Sequence, residues 1–388
     1  MGALNFDERP ILVFWESTKA CLLACKHCRA EAIATPAEGE LSTEEGKRFI
    51  DSLTVFGRPY PVLIITGGDA LMRSDVFDLV EYARAKNIPV GLAPSVTPRL
   101  SEENIQKMSA LGVKAVSISL DGAFAETHER IRGISGHFEE TVQQLKRLVN
   151  AGFEVQVNTA VMKDNVNELP ALVQLMKEMG VKIWEVFFLI QVGRGRDSAE
   201  LTADQCEDVG HFLFESSAYN LTVRTVEAPF FRRIVAERRE NYQAIHVDTR
   251  EMTQRFQLGS LYQRLSTELK DRLNGPISTP KAQTSHTRDG KGIIFVSYDG
   301  TVFPAGFLPL ALGNIRSQGL GEIYRNHPVL KEIRSSRFNG KCGICSYRDI
   351  CGGSRSRAFA HFNNPLEADP SCSYIPSTST SEPLLTSV

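Results

Sequence analysis

Residues 11–28 read ILVFWESTKACLLACKHC. The opening run of branched and aromatic side chains is the pattern of a strand buried on both faces. Soon after it, Cys21, Cys25 and Cys28 fall in the spacing C-x3-C-x2-C. Five more apolar runs, at 62–66, 90–94, 115–120, 155–160 and 184–189, have the same strand character. Amphipathic stretches near 43–54, 75–86, 102–111, 138–151 and 167–179 separate them. Ser42 with Glu45 makes a capping box, and Ser101 before Glu102 and Glu103 marks a second helix start. Gly112, Gly152 and Gly180 stop helices just ahead of a strand, and Asn87 with Pro89 does so before the third. Strands alternating with helices pair in parallel through right-handed crossovers, which gives a full or partial barrel or a doubly wound sheet. In either geometry ligands bind at the C-terminal ends of the strands.

Past residue 200 the alternation fades. Residues 202–217 predict one more helix, whereas the polar stretch 262–292, with Gly275, Pro276, Pro280 and Gly290, reads as a long loop or linker. A hairpin is expected over 293–302, turning at Asp299-Gly300. The Ser/Thr-rich residues 377–388 read as a disordered tail. The 388 residues are enough for two or three domains, at roughly 150 residues each. Lys and Arg total 44 against 46 Asp and Glu, a balance that argues against nucleic acid as a partner. No apolar run approaches the ~20 residues that span a membrane. Residues 1–10, with Asp7, Glu8 and Arg9, lack the apolar core of a secretion signal, so the expected location is cytoplasmic.

A reducing compartment gives the eight cysteines their meaning, because clustered thiols there are metal ligands or redox groups rather than disulfides. Three thiolates on one loop can hold three corners of a cubane iron–sulfur cluster and leave the fourth iron open to a substrate. The alternatives are a zinc site built from Cys21, Cys25, His27 and Cys28, or inert buried thiols. Near the other end, Cys342, Cys345, Cys351 and Cys372 form C-x2-C-x5-C-x20-C. Four thiolates saturate a second cubane, or equally a zinc knuckle. Cys206 stands alone and reads as a small buried residue.

The triplet after the first strand of a βα repeat resembles the signature of the radical S-adenosylmethionine (SAM) superfamily, over about residues 10–200. Thr66-Gly67-Gly68-Asp69, ending the second strand, is similar to that family's Gly-Gly-Glu segment. The resemblance implies glycines that let backbone approach the ligand, and an acid that accepts from the methionine ammonium group. It also implies a SAM pocket completed by Ser95, Ser119, Asp121 and Asn158 at later strand ends, with Arg194 in the 193–196 segment near adenine and carboxylate. His27 stands where the family usually has an aromatic residue, and can stack on adenine. The implied chemistry is a reduced [4Fe–4S] cluster at Cys21, Cys25 and Cys28 that passes one electron to SAM. The resulting 5′-deoxyadenosyl radical takes hydrogen from a substrate. The implied fold is α/β, a partial (β/α)6 TIM-like barrel with a small C-terminal iron–sulfur domain.

Residues 293–376 are similar to the auxiliary-cluster region called SPASM, or its shortened twitch form. The landmarks are Asp299-Gly300-Thr301-Val302-Phe303-Pro304, Leu312-Gly313-Asn314-Ile315 and Cys351-Gly352-Gly353. Two-cluster versions carry cysteines where Ala305 and Ser354 stand, so one auxiliary [4Fe–4S] cluster is expected, on Cys342, Cys345, Cys351 and Cys372. Gly67-Gly68-Asp69 and Cys25-Lys26-His27-Cys28 resemble the radical SAM enzymes of haem-d1 and alternative haem synthesis. Trp15-Glu16, the 193–196 segment, Glu227-Ala228-Pro229 and Arg232-Arg233 resemble an uncharacterised sister group. The resemblance implies a tetrapyrrole side chain as substrate, or a ribosomally made peptide, with a flavodoxin or ferredoxin as reductant. The rival of another class is a non-catalytic zinc or iron–sulfur module. Arg232, Arg233, Arg355 and Arg357 are candidates for carboxylate binding, against solvated helix faces. Glu227 is a candidate helix cap, and His128 and Arg132 either face the pocket or cap a loop. The expected organisation is a core over 10–200, bridging helices and linker over 201–292, a cluster domain over 293–376 and the tail.

Overall fold

The structure, a computed structural model, describes residues 5–240, 248–284 and 286–376. Strands β1 (Leu12–Glu16), β2 (Val62–Thr66), β3 (Val90–Leu92), β4 (Ala115–Ser119), β5 (Glu154–Val161) and β6 (Ile183–Phe188) pair in parallel, each with the next. Helices α1 (Thr43–Ser52), α2 (Val76–Ala85), α3 (Glu102–Ala110), α4 (Ala125–Arg132), α5 (His137–Asn150) and α6 (Leu169–Glu178) connect them. The capping box at Ser42 is formed on both sides. The helix α4 has no apolar stripe to announce it, because it buries Thr127, His128 and Arg132 beside Ile131.

The alternating strands place their apolar residues outward. Val13, Trp15, Leu63 and Ile65 are buried against the helices, and the Trp15 ring meets Phe49 of α1 at 5.2 Å. Their neighbours Phe14, Ile64, Ser119 and Asn158 face inward and remain half-buried. The core therefore lies between sheet and helices, and the inner face of the sheet is left to line a lumen.

After β6 come α7 (Ala203–Ser216), β7 (Thr222–Val226), α8 (Phe231–Glu240), α9 (Thr249–Phe256) and α10 (Ser260–Leu273). Then follow β8 (Ile293–Val296), β9 (Thr301–Phe303), β10 (Gly313–Asn314), α11 (Leu320–Asn326), α12 (Pro328–Arg334), α13 (Gly340–Ile344) and α14 (Arg355–Phe362). The expected loop at 262–292 is thus partly wrong, since α10 occupies its first twelve residues. Leu261, Tyr262, Leu265 and Leu269 recur at helical spacing and are buried. Asp208 of α7 accepts from the Gly259 and Tyr262 amides at 2.7 and 3.2 Å and so caps this helix from a distant element.

The hairpin forms at Asp299-Gly300 as expected, but β8 also pairs in parallel with β1. The sheet order is β10-β9-β8-β1-β2-β3-β4-β5-β6-β7. One continuous sheet therefore carries the barrel strands in its middle and the C-terminal hairpin on its edge. Residues 377–388 lie outside the described residues. Among the described residues no helix is long and apolar enough to cross a membrane.

Candidate active site

The cysteine triplet sits on the irregular segment between β1 and α1, which is clamped by its own polar groups. Glu40 Oε1 accepts from Thr18 Oγ1, the Lys19 amide and the Ala37 amide at 2.8, 2.9 and 2.8 Å. The Cys21 amide donates to Ile33 O at 2.7 Å. Cys21, Leu23, Cys25 and Ala32 form a small buried group against which Cys28 and Ile134 pack. Burial pushes the Cys21 thiol up, while the Leu23 amide and Ser95 hydroxyl beside the sulfur work against that.

The glycines after β2 serve this loop. A Cβ on Gly68 would lie 2.4 Å from Ala20 O, and one on Gly67 would lie 2.6 Å from Thr18 O. The cysteine loop's own backbone approaches both glycines closely. Gly68 N donates to Thr18 O at 2.8 Å and Asp69 N to Ala20 O at 2.7 Å. Thr66 O receives the Ser17 amide at 2.8 Å.

Asp69 is wholly buried, and its carboxylate is already engaged. Oδ1 accepts from the Leu71 and Ser95 amides at 3.1 and 3.2 Å, and Oδ2 from Thr97 Oγ1 at 2.8 Å. Burial raises its pKa against those bonds. These bonds join the ends of β2 and β3 through its carboxylate. Ser95 Oγ, held on Gly68 O at 3.1 Å, lies 3.7 Å from Cys21 Sγ.

Asp121 is the hub on the opposite side. Oδ1 accepts from the Ala160 amide at 2.8 Å, and Oδ2 lies 2.7 Å from Arg132 and 3.5 Å from His27 Nε2. Burial alone would raise its pKa, but Arg132 and His27 outweigh burial and hold the carboxyl below its usual range. Arg132 in turn donates to Cys25 Sγ at 3.5 Å. Burial opposes its charge, yet Asp121 and Cys25 overcome that and raise its pKa. Arg132 therefore belongs to the site, on the pocket side of the alternatives stated for it.

The Asp121 amide donates to His128 Nδ1 at 3.2 Å. His128 Nε2–H then donates to His137 Nδ1 at 2.9 Å, and His137 Nε2–H to Val96 O at 3.0 Å. Burial, followed by the Arg132 charge, pushes His128 down to about 3, and burial lowers His137 as well. Asn165, which the sequence reading passed over, donates to Asp121 O and Ala160 O at 2.8 Å each.

Arg194 staples the triplet from the β6 side. Its amide donates to Cys28 O, its Nε to Cys25 O and its Nη1 to Ala32 O, at 3.0, 3.0 and 3.1 Å. A Cβ on Gly193, where φ is +55°, would sit 2.5 Å from Arg29 O. Most Arg194 donors are thus spent on loop carbonyls, and Nη2 is left without a partner among the described residues. Ser119 and Asn158 face each other across β4 and β5 on the inner face of the sheet.

The other four thiols share one hollow, lined also by Arg233, Lys341, Arg348 and Gly353. The Gly353 amide donates to Cys351 Sγ and the Asp369 amide to Cys342 Sγ, both at 3.4 Å. Burial pushes Cys351 up to about 11 and raises Cys345 and Cys372 as well. Neither Ala305 nor Ser354 lines the hollow. Cys206 is buried on α7, its thiol pushed up to about 12 by that burial.

The four candidate arginines are engaged by groups of the protein itself and are not solvated faces. Arg233 pairs with Glu207 at 2.5 Å and Glu237 at 2.8 Å, and Arg232 donates to Ile350 O and Thr287 O. Arg355 donates to Pro365 O and Glu367 O at 2.8 Å. Arg357 reaches Glu227 O, Phe188 O and Leu189 O at 2.7, 3.2 and 3.0 Å. The Glu227 carboxyl accepts from Ser354 Oγ.

These residues fit iron–sulfur groups better than single ions. Among the described residues, no three of His, Cys, Asp and Glu gather closely enough for one metal ion. In a cubane each thiolate takes its own iron, which tolerates that spread. His27, needed for the zinc alternative, turns to Asp121 instead. His27 Nδ1 and Arg194 Nη2 are buried beside the triplet with no partner among the described residues, as a bound group there requires.

Comparison with known proteins gives the class. Residues 15–176 match the radical SAM superfamily, and residues 288–372 match an iron–sulfur cluster-binding domain. The chain belongs to the radical SAM superfamily, is an enzyme of that class, and carries an auxiliary iron–sulfur region. It is similar to an AdoMet-dependent heme synthase of Methanosarcina barkeri, 36% identical over 375 residues, 96% of this chain and 99% of that one. It is also similar to the mycofactocin maturase MftC of Mycobacterium tuberculosis, 28% identical over 374 residues, 94% of this chain and 83% of that one. In fold it resembles Streptococcus suis SuiB bound to S-adenosylmethionine. The TM-score is 0.67 at 14% identity, covering 95% of this chain and 78% of that one.

When bound at the triplet, a [4Fe–4S] cluster and SAM supply one-electron cleavage and a carbon radical that abstracts hydrogen. The chain's own residues do the rest. Cys21, Cys25 and Cys28 would hold the cluster, and Cys342, Cys345, Cys351 and Cys372 the auxiliary one. Arg132 places a positive charge at Cys25 Sγ, and Asp121 balances it. Asp69, Glu40 and Arg194 hold the loop in place through their hydrogen bonds.

Proposed function

We propose that this enzyme acts on a side chain of a propionate-bearing tetrapyrrole in haem-type cofactor biosynthesis. The observation that carries the reading is 36% identity with an AdoMet-dependent heme synthase over nearly the whole of both chains. A flavodoxin or ferredoxin would deliver the electron, in a reducing cytoplasm that keeps the clustered thiols free. The core over 10–200 would hold SAM through Thr66, Gly67, Ser95, Ser119 and Asn158, and the cluster region over 293–376 would face the substrate across the bridging helices. The second reading, a peptide maturase, is favoured by the likeness to MftC at 28% identity.

The test is anaerobic reconstitution followed by SAM cleavage with iron porphyrins or candidate precursor peptides. The expected result is deoxyadenosine formed together with a mass change in the porphyrin; turnover confined to a peptide would replace the reading with its rival. In Cys25→Ala, SAM cleavage should vanish while the sulfur-to-iron absorbance of the auxiliary cluster persists. Deoxyadenosine formed at the parental rate would remove the triplet from its assigned role.

A further inference from the structure

The inner face of the sheet is divided in two. On one side β1, β2, β8 and β9 turn Phe14, Ile64, Phe295 and Phe303 inward in register. The Phe295 and Phe303 rings are 6.3 Å apart, and Phe187 of β6 meets Phe307 at 6.2 Å. On the other side a single register row runs Ser119, Asn158, Glu185, Arg224 over β4 to β7. All four are half-buried. Gln156 Nε2 joins this row to itself, donating to Asn158 Oδ1 at 2.7 Å and Glu185 Oε2 at 2.8 Å.

Arg224 ends the row. Its Nε donates to Gln283 Oε1 at 2.5 Å, a neutral partner. It acts on Glu185 as a charge through space rather than through a contact ion pair. Arg29, by contrast, is matched by Glu16 at 3.2 Å and covers the Phe295 ring at 4.8 Å. Arg232, Arg233, Arg355 and Arg357 are spent on the protein itself. Among the described residues neither Nη group of Arg224 has a hydrogen-bond partner, which leaves both for a ligand, and two parallel N–H donors suit a carboxylate. It stands two strands from Asn158, roughly 10 Å at ~4.8 Å per strand.

We propose that Arg224 is a substrate-recognition residue that binds a carboxylate side chain of the substrate, while the phenylalanine wall receives the apolar surface of its ring system. The assignment rests on the tetrapyrrole reading and deepens it. An amphipathic ring with acidic arms matches a lumen that is aromatic on one wall and cationic at the far end of the other.

The test titrates reconstituted enzyme with an iron porphyrin bearing free propionates and with its methyl esters, followed by quenching of tryptophan fluorescence. Arg224→Gln should weaken binding of the free acid about 10- to 100-fold, the worth of a hydrogen-bonded charge. It should leave the ester bound as in the parent, and Arg224→Lys should restore part of the loss. Equal acid binding in parent and Arg224→Gln would overturn the assignment while leaving the tetrapyrrole reading intact. Equal loss of acid and ester would overturn it too, as a folding defect. A parent that binds neither porphyrin would remove the reading of the substrate, and this assignment with it.

Discussion

At Asp121 a carboxylate with almost no access to water stays ionised because Arg132 lies 2.7 Å away. Glu227 shows the opposite outcome. Burial, then the charge of Asp289, pushes its carboxyl up to about 8, and the hydrogen bond from Ser354 does not compensate. Below its ordinary value of 4.5 both folded and unfolded chains hold the proton. As pH climbs from there to about 8, only the folded chain keeps it, so stability falls across that window and levels off beyond. Glu227→Gln should therefore be more stable than the parent at pH 8 and above, by on the order of 1–3 kcal/mol, and show little gain near pH 4. Urea unfolding at several pH values reads this. A gain independent of pH would show that Glu227 does not carry the proton.

The helix α10 illustrates why elements beyond residue 200 were hard to foresee. Its apolar residues are correctly spaced, but they are diluted by Arg264, Lys270, Asp271 and Arg272, and its cap comes from Asp208, about fifty residues earlier in the chain. Asp208→Ala should cost about 1 kcal/mol in denaturant unfolding, the usual worth of such a cap. It should also speed amide exchange at Gly259 and Tyr262, whose donors it receives. Unchanged exchange there would mean that the helix start is held by packing alone. The helix α4 was missed for a related reason: it buries a histidine and an arginine, and apolar periodicity cannot report them.

Across the whole molecule, Arg357 of α14 joins the cluster region to the barrel. It is almost fully buried, and its donors end on carbonyls at the ends of β6 and β7, with Asp369 and Glu200 each 3.8 Å away. Replacing it with Met should cost about 3 kcal/mol or more, because buried carbonyls and carboxylates lose their partner together. A loss below about 1 kcal/mol in chemical denaturation would show that the regions are held by apolar packing instead.

The βα alternation, the helix caps and the two cysteine sets were legible because each is written in residues close together in the chain. Hydrophobic period, turn chemistry and thiol spacing are local quantities. The partners of Asp69, Asp121 and Arg194, the protein groups that engage Arg232, Arg233, Arg355 and Arg357, and the pairing of β8 with β1 were settled only on folding. So was the role of Arg224, on a strand that the sequence did not announce. Charged side chains carry no signal of which face they will take; strand register and the closure of the sheet decide that, and both depend on contacts between residues far apart in the chain.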